Sequence, residues 1–319
     1  MIVTVTLNAA MDRTLLVPNF NIGHRHRASQ AVASAGGKGV NVARALRGLG
    51  VPVVATGFIG GRTGAQIGDD LMNEGILNDF VRIEGESRTS TAVLDPIADQ
   101  FTEINEWGPE VSAAELDRLQ EKIEYLTQGA EFIVFAGSLP RKVEPDFYAQ
   151  LIRDLNRRQI LVVLDTEGEP LRLGVEAEPH LVAPNVQEAE ALVGHEFNDE
   201  ADVTLGLDEI AERGARNVLI THDEGCFALL REGGEERRFR AVAPRLEAVS
   251  RIGAGDTLLA GYLAARVAGK PVDEALRSAV ATGAASVLEP GPGRFDPKAV
   301  AGVAGLVQVD PLSPVAQDA

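Results

Sequence analysis

The chain has 319 residues, 47 acidic against 30 basic, a formal net charge of −17 and 45% hydrophobic residues. So acidic an envelope excludes nucleic acid and anionic membrane surfaces as the main partner, since either needs a basic face. The single cysteine, Cys226, excludes an internal disulfide, and no apolar run approaches the roughly 18 residues of a membrane span. These features predict a globular protein of one large or two ordinary domains in a reducing compartment, the cytoplasm.

Residues 2–7 alternate β-branched and apolar types and predict a buried strand that runs out at the polar Asn8 and Asp12. The strand begins at once, without the basic region and cleavage site of a secretory signal. Residues 15–34 carry Gly23-His24-Arg25-His26-Arg27 and then the weak alternation of a half-exposed strand. Gly36-Gly37-Lys38-Gly39 opens a helix with Val40, Ala43, Leu46 and Leu49 on one face. A strand over 51–59 and a helix marked by Ile67, Leu71 and Met72 follow, and Gly57 to Gly64 between them reads as a simple turn. Two further exposed strands, 89–95 and 100–107, flank the turn Pro96-Ile97-Ala98-Asp99.

From Ser112 the pattern becomes regular. Ser112 and Glu115 form a capping box ahead of Leu116, Leu119 and Ile123. Next come a strand at 132–135, a helix at 146–155, a strand at 160–164, a short helix at 186–192 and a strand at 217–221. This alternation predicts right-handed βαβ units and a mostly parallel sheet with both faces covered. Ligands collect beyond the carboxyl ends of such strands, where Asn8, Asp12, Ser138, Asp165 and Thr221 fall. Segments 12–35 and 88–107 interrupt the α/β pattern and predict a small β-sheet lid beside those ends. Segments 1–11, 36–87 and 108–310 make up the large domain, and 311–319 reads as a flexible tail. Apolar lid residues read as exposed, Leu15, Val17 and Ile104, point to dimerisation.

The chemistry concentrates in residues 251–264, R-I-G-A-G-D-T-L-L-A-G-Y-L-A. Gly253, Ala254 and Gly255 are small enough to bring backbone N–H groups against an anion at a helix N-terminus. Asp256 beside them is either a helix cap or a base that takes a proton from an attacking hydroxyl. Gly36 to Gly39 lacks the Ser or Thr of a Walker loop and the spacing of a dinucleotide site, which leaves a helix N-terminus with a cation. Arg25, Arg27, Lys38 and Arg88 lie in or beside the lid segments, and guanidinium groups suit a phosphate held bidentately. Asn185 and Glu188 are either a capping pair or ligands for water-mediated Mg2+. The five histidines lack metal spacing, so no zinc site is expected, and no G-x-S-x-G elbow exists. Cys226, flanked by Phe227 and Ala228, reads as a core thiol.

Taken in order, T-L-N-A-A-M-D at 6–12, G-G-K-G-V-N-V-A-R-A-L at 36–46, G-F-I-G at 57–60, R-T-S at 88–90, G-P-E at 108–110, A-G-S-L-P at 136–140, P-N-x-x-E at 184–188 and G-A-G-D at 253–256 form one pattern. On it the chain resembles the ribokinase-like sugar kinases of the PfkB family, in the branch of 1-phosphofructokinase and tagatose-6-phosphate kinase. The resemblance implies a three-layer α/β sandwich with a lid that pairs with a second copy's lid. It also implies ATP- and Mg2+-dependent phosphoryl transfer to a phosphorylated ketohexose, fructose 1-phosphate foremost and tagatose 6-phosphate as the alternative.

Carried over residue by residue, it makes Asp256 the catalytic base and the backbone of Gly253, Ala254 and Gly255 the anion hole. Asp12, Gly37 and Asn41 become the sugar-hydroxyl ligands. Lys38, Arg88, Ser138, Arg25 and Arg27 become the substrate-phosphate end. Asn185 and Glu188 serve the metal-bound nucleotide, Thr221 and Gly225 its phosphates, and Gly283, in the helix 279–286, its base. Two departures stand out. Thr221-His222-Asp223-Glu224-Gly225 is one residue short of the family's Ser/Thr-Leu-Gly-x-x-Gly, which leaves room for a catalytically weak sugar-phosphate sensor. Arg251 stands where the family commonly has Thr, either reaching a phosphate or facing solvent.

Overall fold

All five residues of the strand Ile2–Thr6 are buried, the continuous burial expected where helices cover both faces of a parallel sheet. Alternate side chains serve opposite layers: Ile2 packs into one apolar cluster, Val3 and Val5 into the other. The next strand, Phe132–Ala136, repeats this, with Phe132 and Val134 on one side and Ile133 and Phe135 on the other. The computed structural model describes residues 1–313.

The sheet has 11 strands. From Leu77–Asn78 it runs through Val53–Gly60, Ile2–Thr6, Phe132–Ala136, Leu161–Asp165 and Leu181–Val182 to Val218–His222, all in parallel register. Val81–Ile83 extends the Val53–Gly60 edge. Beyond Val218–His222 the pairing turns antiparallel through Gly225–Glu232, Glu235–Val242 and Gln308–Leu312. One layer holds the helices Lys38–Gly48, Gly61–Asn73, Ala254–Val267, Val272–Ser286 and Pro297–Ala304. The other holds Ala113–Leu126, Phe147–Arg157, Gly168–Val175, Val186–Val193 and Glu200–Glu212. Three α/β layers are therefore present, as expected. No helix among the described residues is long and apolar enough to cross a membrane.

A separate four-stranded sheet follows the order Gln30–Gly36, Ala10–Leu16, Arg88–Asp95, Gln100–Asn105. Its register places Ala10 opposite both Gly36 and Arg88, so these segments meet at the base of the small sheet. The Asp95 carboxylate accepts backbone N–H groups from Asn19, Phe20, Ile97 and Ala98, which fixes the turn at 96–99.

Several expectations are corrected. Residues 57–64 are not a loop: the strand Val53–Gly60 passes directly into the helix Gly61–Asn73. The hairpin Gly225–Glu232 and Glu235–Val242 went unread, because R-E-G-G-E-E-R-R at its tip hides the alternation in charge. Residues 311 and 312, assigned to a tail, lie in the edge strand Gln308–Leu312. Pro311 is tolerated there because an edge strand needs only one row of donors. The rest of that segment, 314–319, lies outside the described residues. Val17 is buried at 4% exposure rather than presented outward, whereas Ile104 is 61% exposed.

Candidate functional site

Gly253 adopts φ 74 at the start of the helix Ala254–Val267, and a Cβ there would sit 2.5 Å from the Cβ of Pro292. Glycine is thus required by both backbone conformation and packing. It, and not Asp256, is the N-cap; Asp256 lies in the first turn, 7% exposed. The N–H of Ala254 turns back to the Arg251 carbonyl at 3.3 Å. The N–H groups of Gly255 and Asp256 have no intrahelical partner, as helix geometry dictates, and free donors of this kind at a helix start suit an anion.

Asp256 Oδ2 accepts a hydrogen bond from Asn41 Nδ2 at 2.8 Å. Burial pushes its carboxyl up to about 7, with Asp165 adding to the shift and Lys38 and Asn41 opposing it. Asn41 is itself fixed by the buried Arg44, whose guanidinium donates to Asn41 Oδ1 at 3.3 Å, the Ala35 carbonyl at 2.7 Å and the Pro292 carbonyl at 3.3 Å. Glu74 accepts from Arg44 Nε at 2.6 Å and balances its charge. Sequence reading passed over Arg44; an arginine one turn beyond Asn41 in an otherwise apolar helix was the available signal.

Asp12 lies on Ala10–Leu16, facing Ser34 and Ser90 in its neighbours. Burial raises its carboxyl to about 6, partly offset by Arg88 and Arg44. A Cβ on Gly36 would lie 1.9 Å from Asp12 Oδ2, so that glycine is what lets the carboxylate occupy its place. Gly37, at φ 103, precedes the helix Lys38–Gly48 and its backbone N–H serves Asp12. Arg88 donates from Nε to the Asn8 carbonyl at 3.1 Å, and burial lowers its pKa. Asn8 Nδ2 in turn donates to Ser138 Oγ at 3.2 Å. Arg88 and Ser138 are therefore joined through Asn8.

Lys38 takes a different direction. Its ammonium contacts Asp165 Oδ1 at 2.7 Å and Glu188 Oε1 at 3.0 Å. Burial disfavours the charge, but Asp165, Glu188 and Asp256 outweigh it and hold the lysine above its ordinary range. In this structure Lys38 serves those carboxylates and makes no hydrogen bond to Arg88 or Ser138. Asp165, noticed only as a strand-end carboxylate, is its partner. Arg25 and Arg27 are exposed and make no hydrogen bond or ion pair among the described residues, so the structure does not bring them to the cluster.

Asn185 and Glu188 form a reciprocal capping box, Asn185 Oδ1 accepting from Glu188 N at 2.9 Å and Glu188 Oε2 from Asn185 N at 2.9 Å. Burial raises the Glu188 carboxyl. No group of three or more potential metal ligands occurs among the described residues. Thr221 bridges to Asn185, and its Oγ1 lies 3.6 Å from where a Cβ on Gly255 would be. The segment that looked one residue short is a tight hairpin in which His222 pairs with Gly225 across Asp223 and Glu224. Gly225 is needed there because a Cβ would meet the Ala241 carbonyl at 2.0 Å. Gly283 lets the helices Val272–Ser286 and Ala254–Val267 approach, a Cβ there falling 2.9 Å from that of Leu258. Arg251 is 61% exposed, with its guanidinium 3.6 Å from Asp223 Oδ2. Cys226 is fully buried and its thiol is pushed up to about 12, as a core residue's should be.

The model of the pfkB family of carbohydrate kinases matches residues 3–299. The chain is 33% identical over 315 residues to a 1-phosphofructokinase of Rhodobacter capsulatus, covering 98% of this chain and 99% of that one. It is 30% identical over 293 residues to a tagatose-6-phosphate kinase of Staphylococcus epidermidis, covering 91% and 93%. Phosphofructokinase-2 from Escherichia coli, solved in complex with substrates and products, superimposes with a TM-score of 0.87 at 26% identity, covering 95% of this chain and 98% of that one.

Proposed function

The chain belongs to the pfkB family of carbohydrate kinases, and on that footing we propose that it transfers the γ-phosphoryl group of ATP to the primary hydroxyl of fructose 1-phosphate, giving fructose 1,6-bisphosphate and ADP. The observation that carries this reading is Asp256: a buried carboxylate raised to about 7, beside two helix N–H groups that suit an anion. A base so poised takes the proton of the attacking hydroxyl near neutral pH, while the N–H groups of Gly255 and Asp256 receive charge on the transferred phosphoryl.

Asp12, Gly37 and Asn41 surround the sugar hydroxyls in this reading. Arg88 and Ser138 take the substrate's own phosphate, joined by Arg25 and Arg27 once the lid is closed or paired. Thr221 lies beside the nucleotide phosphates, with Gly225 and Gly283 shaping the surrounding backbone. Asp165 and Glu188 are hard oxygen donors that suit Mg2+ held through water, and Asn185 fixes Glu188 by the capping box. Bound there, the ion would neutralise charge between the nucleotide phosphates.

Tagatose 6-phosphate is the second reading, favoured by the Staphylococcus epidermidis relative. Two copies pairing through the small sheet, in the cytoplasm, complete the proposal; the edge strand Gln100–Asn105 is exposed throughout, with Phe101 at 60% and Ile104 at 61%. Turnover of ATP with fructose 1-phosphate, fructose 6-phosphate and tagatose 6-phosphate tests the assignment. No turnover with any of the three would remove it.

A further inference from the structure

The hairpin tip after Thr221 and the segment before Gly253 face each other. Asp223 lies at the tip of the hairpin after Thr221, and Arg251 lies two residues before Gly253, the cap of the helix carrying Asp256. Their side chains meet at 3.6 Å. A second pair crosses the same gap, Arg245 Nε to Glu224 Oε1 at 2.9 Å. Two arginines of the 244–252 segment therefore grip the two acidic residues at the hairpin tip. At the base of the hairpin, Thr221 Oγ1 lies 3.6 Å from where a Cβ on Gly255 would be, so the hairpin and the start of the Asp256 helix lie side by side.

The two pairs differ in contact geometry: Arg245 is itself 90% exposed, but its Nε lies within hydrogen-bond distance of Glu224, which is 40% exposed. Both partners of the Arg251 pair are solvent-exposed, 61% and 87%, at a distance too long for a strong hydrogen bond. Such a contact contributes about 0–1 kcal/mol and is easily exchanged. A polyphosphate offers Arg251 more charge and a bidentate partner.

Resting on the kinase reading, we propose that Arg251 is a phosphate ligand for the nucleotide, parked on Asp223 until the polyphosphate arrives and then exchanged onto it, while Arg245 stays on Glu224 and holds the hairpin tip in place. Arg251 thereby brings a charge to the nucleotide phosphates, and Asp223 sets how strongly nucleotide must compete.

The test is titration calorimetry with ADP and, separately, inorganic tripolyphosphate on the full chain, alongside steady-state kinetics. Arg251→Ala should weaken both probes about tenfold or more and raise the KM for ATP similarly, with the KM for the sugar phosphate unchanged. Asp223→Ala should tighten both by roughly two- to fivefold, and this gain should vanish in the double variant. Arg251→Lys should retain part of the affinity, which guards against a misfolded Ala variant. Unchanged binding by both Arg251 variants, or an Asp223→Ala effect that persists without Arg251, overturns the proposal. A wild-type protein that turns over no sugar phosphate would sink the kinase reading alone, since the tripolyphosphate comparison still decides the role of Arg251.

Discussion

The side-chain amide of Asn41 donates to the Asp256 carboxylate over 2.8 Å, tying together residues 215 apart in the chain. Through Arg44, which holds the other end of that amide, the helix Lys38–Gly48 orients the carboxylate on the helix Ala254–Val267. Asn41→Ala removes the donor and leaves the Arg44 contact unmet. Such a loss should cost about 1–3 kcal/mol of stability. It should also move the acidic limb of the kcat/KM profile to higher pH, because the Asn41 hydrogen bond favours the charged form. Chemical denaturation and pH–rate profiles check the two effects.

Asp256 carries its charge against burial, and this has a sign for stability. A carboxyl whose folded pKa, about 7, lies above its unfolded value of 3.8 binds more protons folded than unfolded between those values. Its contribution is therefore unfavourable, complete above pH 7 and absent below the unfolded value. Asp256→Asn should raise the Tm at pH 8, and the gain should shrink steadily as the pH falls toward 4. A Tm difference independent of pH would contradict the shift.

Asp165 raises the Asp256 carboxyl and Lys38 lowers it. In Asp165→Asn the Asp256 titration should move down, and in Lys38→Met it should move up. Carboxyl-carbon NMR of the protein without metal or nucleotide reads this directly, independent of any effect on Mg2+.

Gly36→Ala places a Cβ where Asp12 Oδ2 now lies, 1.9 Å away. The carboxylate must move, so the KM for the sugar phosphate should rise about tenfold or more, the value of a lost hydrogen bond involving a charged group. The KM for ATP should stay near its original value. Equal changes in both would place Asp12 outside the sugar site.

The layered fold was legible because its signal is repetitive. Strand runs such as 132–135 and 160–164, alternating with helices of which two begin at the capping boxes of Ser112 and Asn185, admit few other arrangements. The charged hairpin 225–242 and the edge strand reaching Leu312 were not legible, since neither shows clean alternation. Within the site, residues adjacent to glycine turns could be named from motifs. Which of them touch could not. Lys38 fell among the substrate-phosphate cations by sequence, yet its ammonium is committed to Asp165 and Glu188. Long flexible side chains choose partners by what folding brings near, and Glu188 is 150 residues away.

The catalytic role of Asp256 is tested most directly by comparing Asp256→Asn with the unaltered protein, using ATP and fructose 1-phosphate at pH 8. Binding of ATP should remain nearly intact and kcat should fall about 10²-fold or more, as expected when a general base is lost. A kcat close to that of the unaltered protein, with ATP binding equally intact, would contradict the assignment.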